Sequence, residues 1–300
     1  MKRAFAVGST LCGVAAFAYA LSVVGVANVE QAIARIGWGA GAILLISVIR
    51  ELARAAAWAQ ACTGTHRLSV AEAFRARMAG EALAAVVPMG FVVGEPAKAR
   101  YVDHRMSFAS AFGGLMLEFA FYSASLAVFA VAALIMFVSN PLVVFTVLAA
   151  IAILPLLNPV RRAVAPVRRF VIEQPRRAGA IGALELVYHA LGFAETYVIL
   201  RCLSPAAATW TAAVAFETVS RGVTIAFKMV PMRVGIDEAS AAFMAAHLAI
   251  PPSTGVMLAV TRKLRVLFWT ALGLLVIAVR AFRRCAPALT CRTAHIQKSA

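Results

Sequence analysis

Apolar residues along this chain come in long blocks, not in alternation with polar ones. Runs with few charges cover residues 5–26, 38–58, 108–138, 141–158, 179–200 and 254–279. About 20 apolar residues in helical form cross a bilayer core, so each block predicts a membrane helix. The run 108–138 holds a single charge, Glu118. At about 1.5 Å per residue it exceeds the bilayer thickness and must tilt, kink or protrude.

Two other segments break this pattern. Residues 77–104 and 217–249 are moderately apolar, carry internal charges, and have a proline near the middle. Proline removes a helical hydrogen bond and drives the preceding residue out of helical angles. Each segment is therefore expected to form two short helices meeting at a break, in the manner of a re-entrant hairpin. Such breaks persist at membrane depth only where protein or a wet cavity covers the freed backbone. The segments also match each other. Val87-Pro88-Met89 and Val230-Pro231-Met232 are identical, and a glutamate follows each proline by seven positions, Glu95 and Glu238. Gly94 and Gly235 lie in the two breaks. An internal repeat with an offset of 143 residues follows, its units spanning about 38–158 and 179–280.

Composition supports lipid as the solvent. Of the 300 residues 62% are hydrophobic and only 14% charged, against roughly 25% charged in soluble domains. The net charge of +16 would suggest nucleic acid in a soluble protein, but here the basic residues gather between apolar runs, and no nucleic-acid partner is expected. The N-terminal run resembles a secretory signal, with Ala18-Tyr19-Ala20 as a cleavage site, but the apolar runs continue past it and an uncleaved first span is the expectation. Five unpaired cysteines offer neither a CxxC pair nor zinc spacing, and no metal or cofactor is expected.

Positive-inside bias then sets the topology. Lys2, Arg3, Arg67, Arg75, Arg77, Lys98, Arg100, Arg105, the arginines of 161–177 and those of 280–292 fall on one side, the cytoplasm. Both termini and a loop at 160–178 are expected there. The first hairpin would open to the cytoplasm and the second to the outside, an inverted arrangement common among transporters. The whole is expected to be one all-α polytopic domain, residues 1–284, with a cytoplasmic tail at 285–300.

The pattern Pro88-x5-Gly94-Glu95-x2-Lys98 resembles the P-x-x-x-G-E/D-x-x-R motif of the lysylphosphatidylglycerol synthase transmembrane (flippase-like) family. Pro231-x3-Gly235-x2-Glu238-Ala239 resembles that family's second motif, P-x-G-x-G-x-x-E-A. Glu118 and Arg262 fall where the family carries a charged residue in a later helix. The resemblance covers about residues 5–280. Lys98 stands in place of the family's arginine and Arg233 in place of a glycine. The soluble aminoacyl-transferase domain of the full synthases is not expected. The resemblance thus implies translocation of a lipid, of anionic or polyprenyl type, between the leaflets of the bacterial inner membrane, or an allied role in envelope lipid biosynthesis, not lysine transfer. The Gly-Glu-Pro-x-Lys form is similar to that of members associated with hopanoid biosynthesis.

Several constellations carry two readings. Glu95 and Glu238 are symmetry-related carboxylates that carry protons or gate a cavity, or they cap helices beginning near Pro96 and Asp237. The N-termini of those helices, with Lys98 and Arg100, would suit a phosphate; alternatively the basic residues reflect only positive-inside bias. Glu217, Arg221, Thr224 and Lys228 share one helical face and either line a wet path or hold helices together. Arg77 and Glu81 are a similar pair. Arg262, Lys263 and Arg265 are expected near the outer face, meeting lipid phosphate or Asp237 and Glu238. Glu185 and His189, four apart, read as a satisfied buried pair.

Three functions compete. A transporter would be driven by a lipid, proton or voltage gradient, since no nucleotide-binding motif is present. A membrane enzyme would need Glu95, His189 and Glu238 to converge. A non-catalytic subunit would hold lipid-biosynthesis enzymes together. The transporter reading, with a membrane lipid of anionic headgroup as partner and no enzymatic activity, is preferred.

Overall fold

A computed structural model describes residues 30, 33–63, 67–87, 90–137, 158–227, 233 and 235–297. The predicted span at 5–26, that at 141–158 apart from Asn158, and Pro88, Lys228 and Pro231 lie outside them. The described residues form α-helices and one short 3-10 turn: α1 Gly39–Ala61, α2 Val70–Val86, α3 Gly90–Tyr101, α4 Phe108–Phe137, α5 Asn158–Glu173, α6 Pro175–Leu203, α7 Trp210–Ala226, α8 Ile236–His247 and α9 Pro252–Gln297. The all-α bundle is as expected, and α4, α6 and α9 contain stretches long and apolar enough to cross a membrane. The α9 helix runs through the expected tail at 285–297 without interruption.

Local chemistry sets the ends. Ser69 caps α2: its hydroxyl accepts from the Glu72 N–H at 3.2 Å and donates to the Glu72 carboxylate at 2.8 Å. Thr209 caps α7 by accepting from Ala212 N–H at 3.1 Å. Val87, before Pro88, is extended (φ −108, ψ 136) and ends α2. Gly235 opens α8 at φ +83, a left-handed conformation that suits glycine.

At each predicted break one helix ends and another begins, α2 at Val86 before α3 at Gly90 and α7 at Ala226 before α8 at Ile236, and the two members of each pair pack on one another. The first hairpin is closed by glycine. A Cβ on Gly90 would lie 1.9 Å from the Ala84 carbonyl, and one on Gly80 2.7 Å from that of Gly94. Small residues let the two backbones touch. One boundary differs from expectation. Gly94, Glu95 and Pro96 lie inside α3, which begins at Gly90; Glu95 therefore does not cap a helix starting at Pro96. The arginine-rich stretch 161–177 also differs. It forms α5 and the start of α6 instead of a loop, with Pro159 and Pro175 in first turns where proline costs no hydrogen bond.

The helices repeat in order. Adding the 143-residue offset to α1, α2, α3 and α4 lands on α6, α7, α8 and α9 within a few residues at most ends. The α1 and α6 helices pack closely at the centre, with α2 and α8 both against α9. Trp58 on α1 donates to the Ala111 carbonyl of α4 at 3.1 Å, and Trp269 on α9 donates to Ser47 of α1 at 2.5 Å. Apolar clusters around Leu258, Trp58 and Ile181 enclose a charged interior. Outward residues such as Val128, Ile135 and Leu275 are apolar and exposed, as lipid contact requires.

A charged central cavity

The interior holds a cavity of about 400 Å³ that both helix breaks border. Ala84, Val87 and Gly90 come from the first break, and Arg233, Asp237 and Ser240 from the second. Six cations face it: Arg50, Arg221, Arg233, Arg262, Lys263 and Arg265. Five carboxylates face it as well: Glu51, Glu81, Glu195, Glu217 and Asp237. Burial of so many charges is tolerable only if they are paired and hydrogen-bonded.

Two matching triads organise the buried charges in and beside the cavity. In the first, Glu118 of α4 meets Arg54 of α1 at 2.7 Å and Arg77 of α2 at 3.6 Å. In the second, Arg262 of α9 meets Thr196 of α6 and Glu217 of α7, both at 2.5 Å. The positions correspond within the repeat. Glu118 and Arg262 are each eleventh in their helix, Arg77 and Glu217 each eighth, and Arg54 and Thr196 each eighth from the end. The sign of the charge is reversed between them: an anion bound by two cations in one triad, a cation bound by an anion and a hydroxyl in the other.

Further pairs tie the triads to the cavity wall. Glu195 joins Arg50 and Arg265. Arg221 binds Glu217 at 2.8 Å and donates to the Tyr122 hydroxyl at 2.9 Å. Gly192 makes room for this junction, since a Cβ there would stand 2.8 Å from the Glu217 carboxylate and 3.3 Å from Arg50. The Arg54 guanidinium lies 4.4 Å from the Tyr122 ring centre, at cation–π range.

Of the residues singled out by sequence, Glu217, Arg221, Asp237 and Arg262 line the cavity, as does Thr224. Lys98 does not. It is buried inside the first hairpin, 2.7 Å from both Glu81 and Glu95, with its stem running over Gly80, where a Cβ would stand 2.3 Å from the Lys98 Cγ. Glu238 accepts from the Gly235 N–H at 2.8 Å and binds Lys263 at 2.6 Å, so it both caps α8 and pairs, while Asp237 meets Arg233 at 3.1 Å. Lys263 meets Glu238 as expected, and Arg262, Lys263 and Arg265 lie within α9. They begin eleven residues into α9, about 15 Å along its axis. Arg77 pairs with Glu51 at 3.4 Å as well as Glu81 at 3.8 Å. Glu185 and His189 are both buried but do not pair with each other; His189 sits among Tyr122, Tyr188 and Phe129, with Nε2 3.3 Å from the Tyr122 carbonyl oxygen. Arg50, Glu51, Tyr122, Glu195 and Gly192 were not singled out. The sequence signal for three of them was a charge inside an otherwise apolar run.

Among the described residues no group of three or more histidines, cysteines or carboxylates is placed to hold a metal. Neither a curated protein nor a solved structure matches the chain. A family described as Lysylphosphatidylglycerol synthase TM region matches residues 4–273. A match over that much of a 300-residue chain, joined to an all-α bundle with apolar spanning helices, makes this multi-pass membrane protein a member of that family.

Proposed function

We propose that the chain moves an anionic or polyprenyl-type lipid between the leaflets of the bacterial inner membrane, in support of envelope lipid biosynthesis. The observation that carries this reading is the cavity bordered by both helix breaks, with six cationic side chains against five carboxylates. Broken helices meeting in a polar cavity are how transporters expose backbone and charge to a substrate at membrane depth. A phosphate headgroup would enter between Arg221 and Arg233, which are more accessible than the buried Arg50, while the acyl or prenyl tail stays in the bilayer. The two repeats would be inverted, both termini cytoplasmic, and α5 cytoplasmic. A link to hopanoid-producing enzymes as partners fits the Gly94-Glu95-Pro96-x-Lys98 form. Enzymatic chemistry has less support: Glu95, His189 and Glu238 bind separate partners and none lines the cavity.

The test is reconstitution into vesicles with a headgroup-labelled anionic phospholipid, quenched from outside. Wild-type protein should accelerate leaflet exchange, and Arg221→Gln and Arg233→Gln should each lower the rate at least several-fold in folded protein. A wild-type rate equal to that of protein-free vesicles defeats the reading.

A further inference from the structure

Glu185 of α6 is fully buried, and neither of its carboxylate oxygens has a hydrogen-bond donor. Its nearest cation, Arg54 of α1, is 3.9 Å away and already engaged by Glu118 at 2.7 Å. The charged groups facing Glu185 are Arg54 from α1, Arg77 from α2 and Glu118 from α4, and both Glu118 and Glu185 meet the same Arg54 guanidinium. Its neighbours on α6, Ile181 and Leu184, belong to an apolar cluster with Ala57 of α1 and Phe170 of α5.

The surrounding cations compensate it only in part, because they are shared. Arg54, Arg77 and Lys98 are shared among Glu51, Glu81, Glu95 and Glu118. Three cations thus meet four carboxylates before Glu185 is counted. A buried carboxylate that has no hydrogen-bond donor and shares its cation with another carboxylate is costly in a protein interior, and taking up a proton is the usual way out. Two carboxyls in contact hold one proton between them for the same reason.

We propose that Glu118 and Glu185 form a proton-binding site, in which Glu185 carries the proton and donates it to the Glu118 carboxylate. Release returns the proton to water and leaves a second full negative charge beside Arg54. Arg54 must then be shared between two carboxylates, and it leaves its position over the Tyr122 ring. The Tyr122 hydroxyl accepts from Arg221 at the cavity wall, so proton occupancy is felt where the lipid would bind. As the coupling site of a lipid translocator this rests on the proposed function; as a proton site it does not.

Infrared spectra of the purified protein near neutral pH, in H₂O and D₂O, decide the first part. The expected result is a deuteration-sensitive carboxylic-acid carbonyl band that Glu185→Gln removes and the surface variant Glu173→Gln leaves. Absence of the band from wild type, or its survival in Glu185→Gln, overturns the site. Should Glu185→Gln not fold, Glu185→Asp keeps an acid and must shift the band; an unshifted band overturns it equally. In vesicles, the wild-type exchange rate should change at least several-fold with pH while that of Glu185→Gln changes less than about twofold. A wild-type pH dependence retained in Glu185→Gln removes the coupling. A clear infrared band with no lipid movement by wild type removes the lipid reading and leaves the proton site standing.

Discussion

Replacing Glu217 by glutamine tests whether the charged interior is a true low-dielectric network. The carboxylate serves Arg221 at 2.8 Å and Arg262 at 2.5 Å, and accepts from Thr196 at 3.1 Å. Its side chain is only 8% exposed, and those of Arg221 and Arg262 are 16% and 15%. Exposed ion pairs contribute about 0–1 kcal/mol, whereas removing one partner of a buried pair costs about 3–5 kcal/mol. Arg221 keeps the Tyr122 hydroxyl and Arg262 keeps Thr196, which places the expected loss near the lower figure, about 3 kcal/mol. That is roughly a hundredfold in the unfolding equilibrium, at 1.4 kcal/mol per tenfold. Reversible unfolding from mixed micelles into SDS measures it. The double variant Glu217→Gln with Arg262→Gln should recover part of the loss, because one stranded cation is gone. A single-variant loss below about 1 kcal/mol, the range of a solvated pair, refutes the reasoning.

Two further outcomes follow from the packing and the surface. Gly192→Ala places a methyl 2.8 Å from the Glu217 carboxylate and should destabilise by about 1–3 kcal/mol as overpacking does, with Gly222→Ala, where a Cβ meets open space, as the near-neutral control in the same unfolding assay. At the solvent end of α2, partial burial raises the Glu72 carboxyl, but hydrogen bonds from Ser69 and Arg105 and the Arg105 charge outweigh it and hold it down at about 2. A depressed folded value means that its stabilisation is present above the unfolded carboxylate range, about 4.3, and is lost as pH falls towards 2. Acid titration of thermal stability should therefore show Glu72→Gln less stable than wild type near neutrality and equal to it at the acid end.

The sequence made the helices and both breaks legible because each rests on local chemistry: apolar run length, and a proline that its predecessor must accommodate at Val87. It misplaced the start of α3, since Glu95-Pro96 carries the same local signal as a true helix start. What overrode that signal is tertiary, the Gly80–Gly94 contact that holds the hairpin together around Pro96. The loop expected at 160–178 failed for a related reason. Pro159 and Pro175 stand in first turns, where the ring fits, and Pro166 lies inside α5, so the three prolines ended fewer helices than they suggested. The charged face of α7 was readable from its spacing of four and three. Its partners were not, because Arg262, Thr196 and Tyr122 reach it from other helices, and no one-dimensional period links them. Glu185 illustrates the same limit: its spacing to His189 suggested a pair, while packing turned the two towards different neighbours.

The two glycine seats on α9 have a mechanical consequence. At Gly255 the α8 backbone comes so near that a Cβ would meet the Ala241 carbonyl at 2.2 Å, and at Gly273 the α2 backbone does the same through Met78 at 2.1 Å. The seats are 18 residues apart, about 27 Å along one straight rod. Side chains can yield by changing rotamer; backbone against backbone has no such slack. A push on either hairpin must therefore tilt or slide the rod, and the rod must carry that motion to the other hairpin. In this architecture α9 ties the two helix pairs together, so that neither can shift without the other registering it.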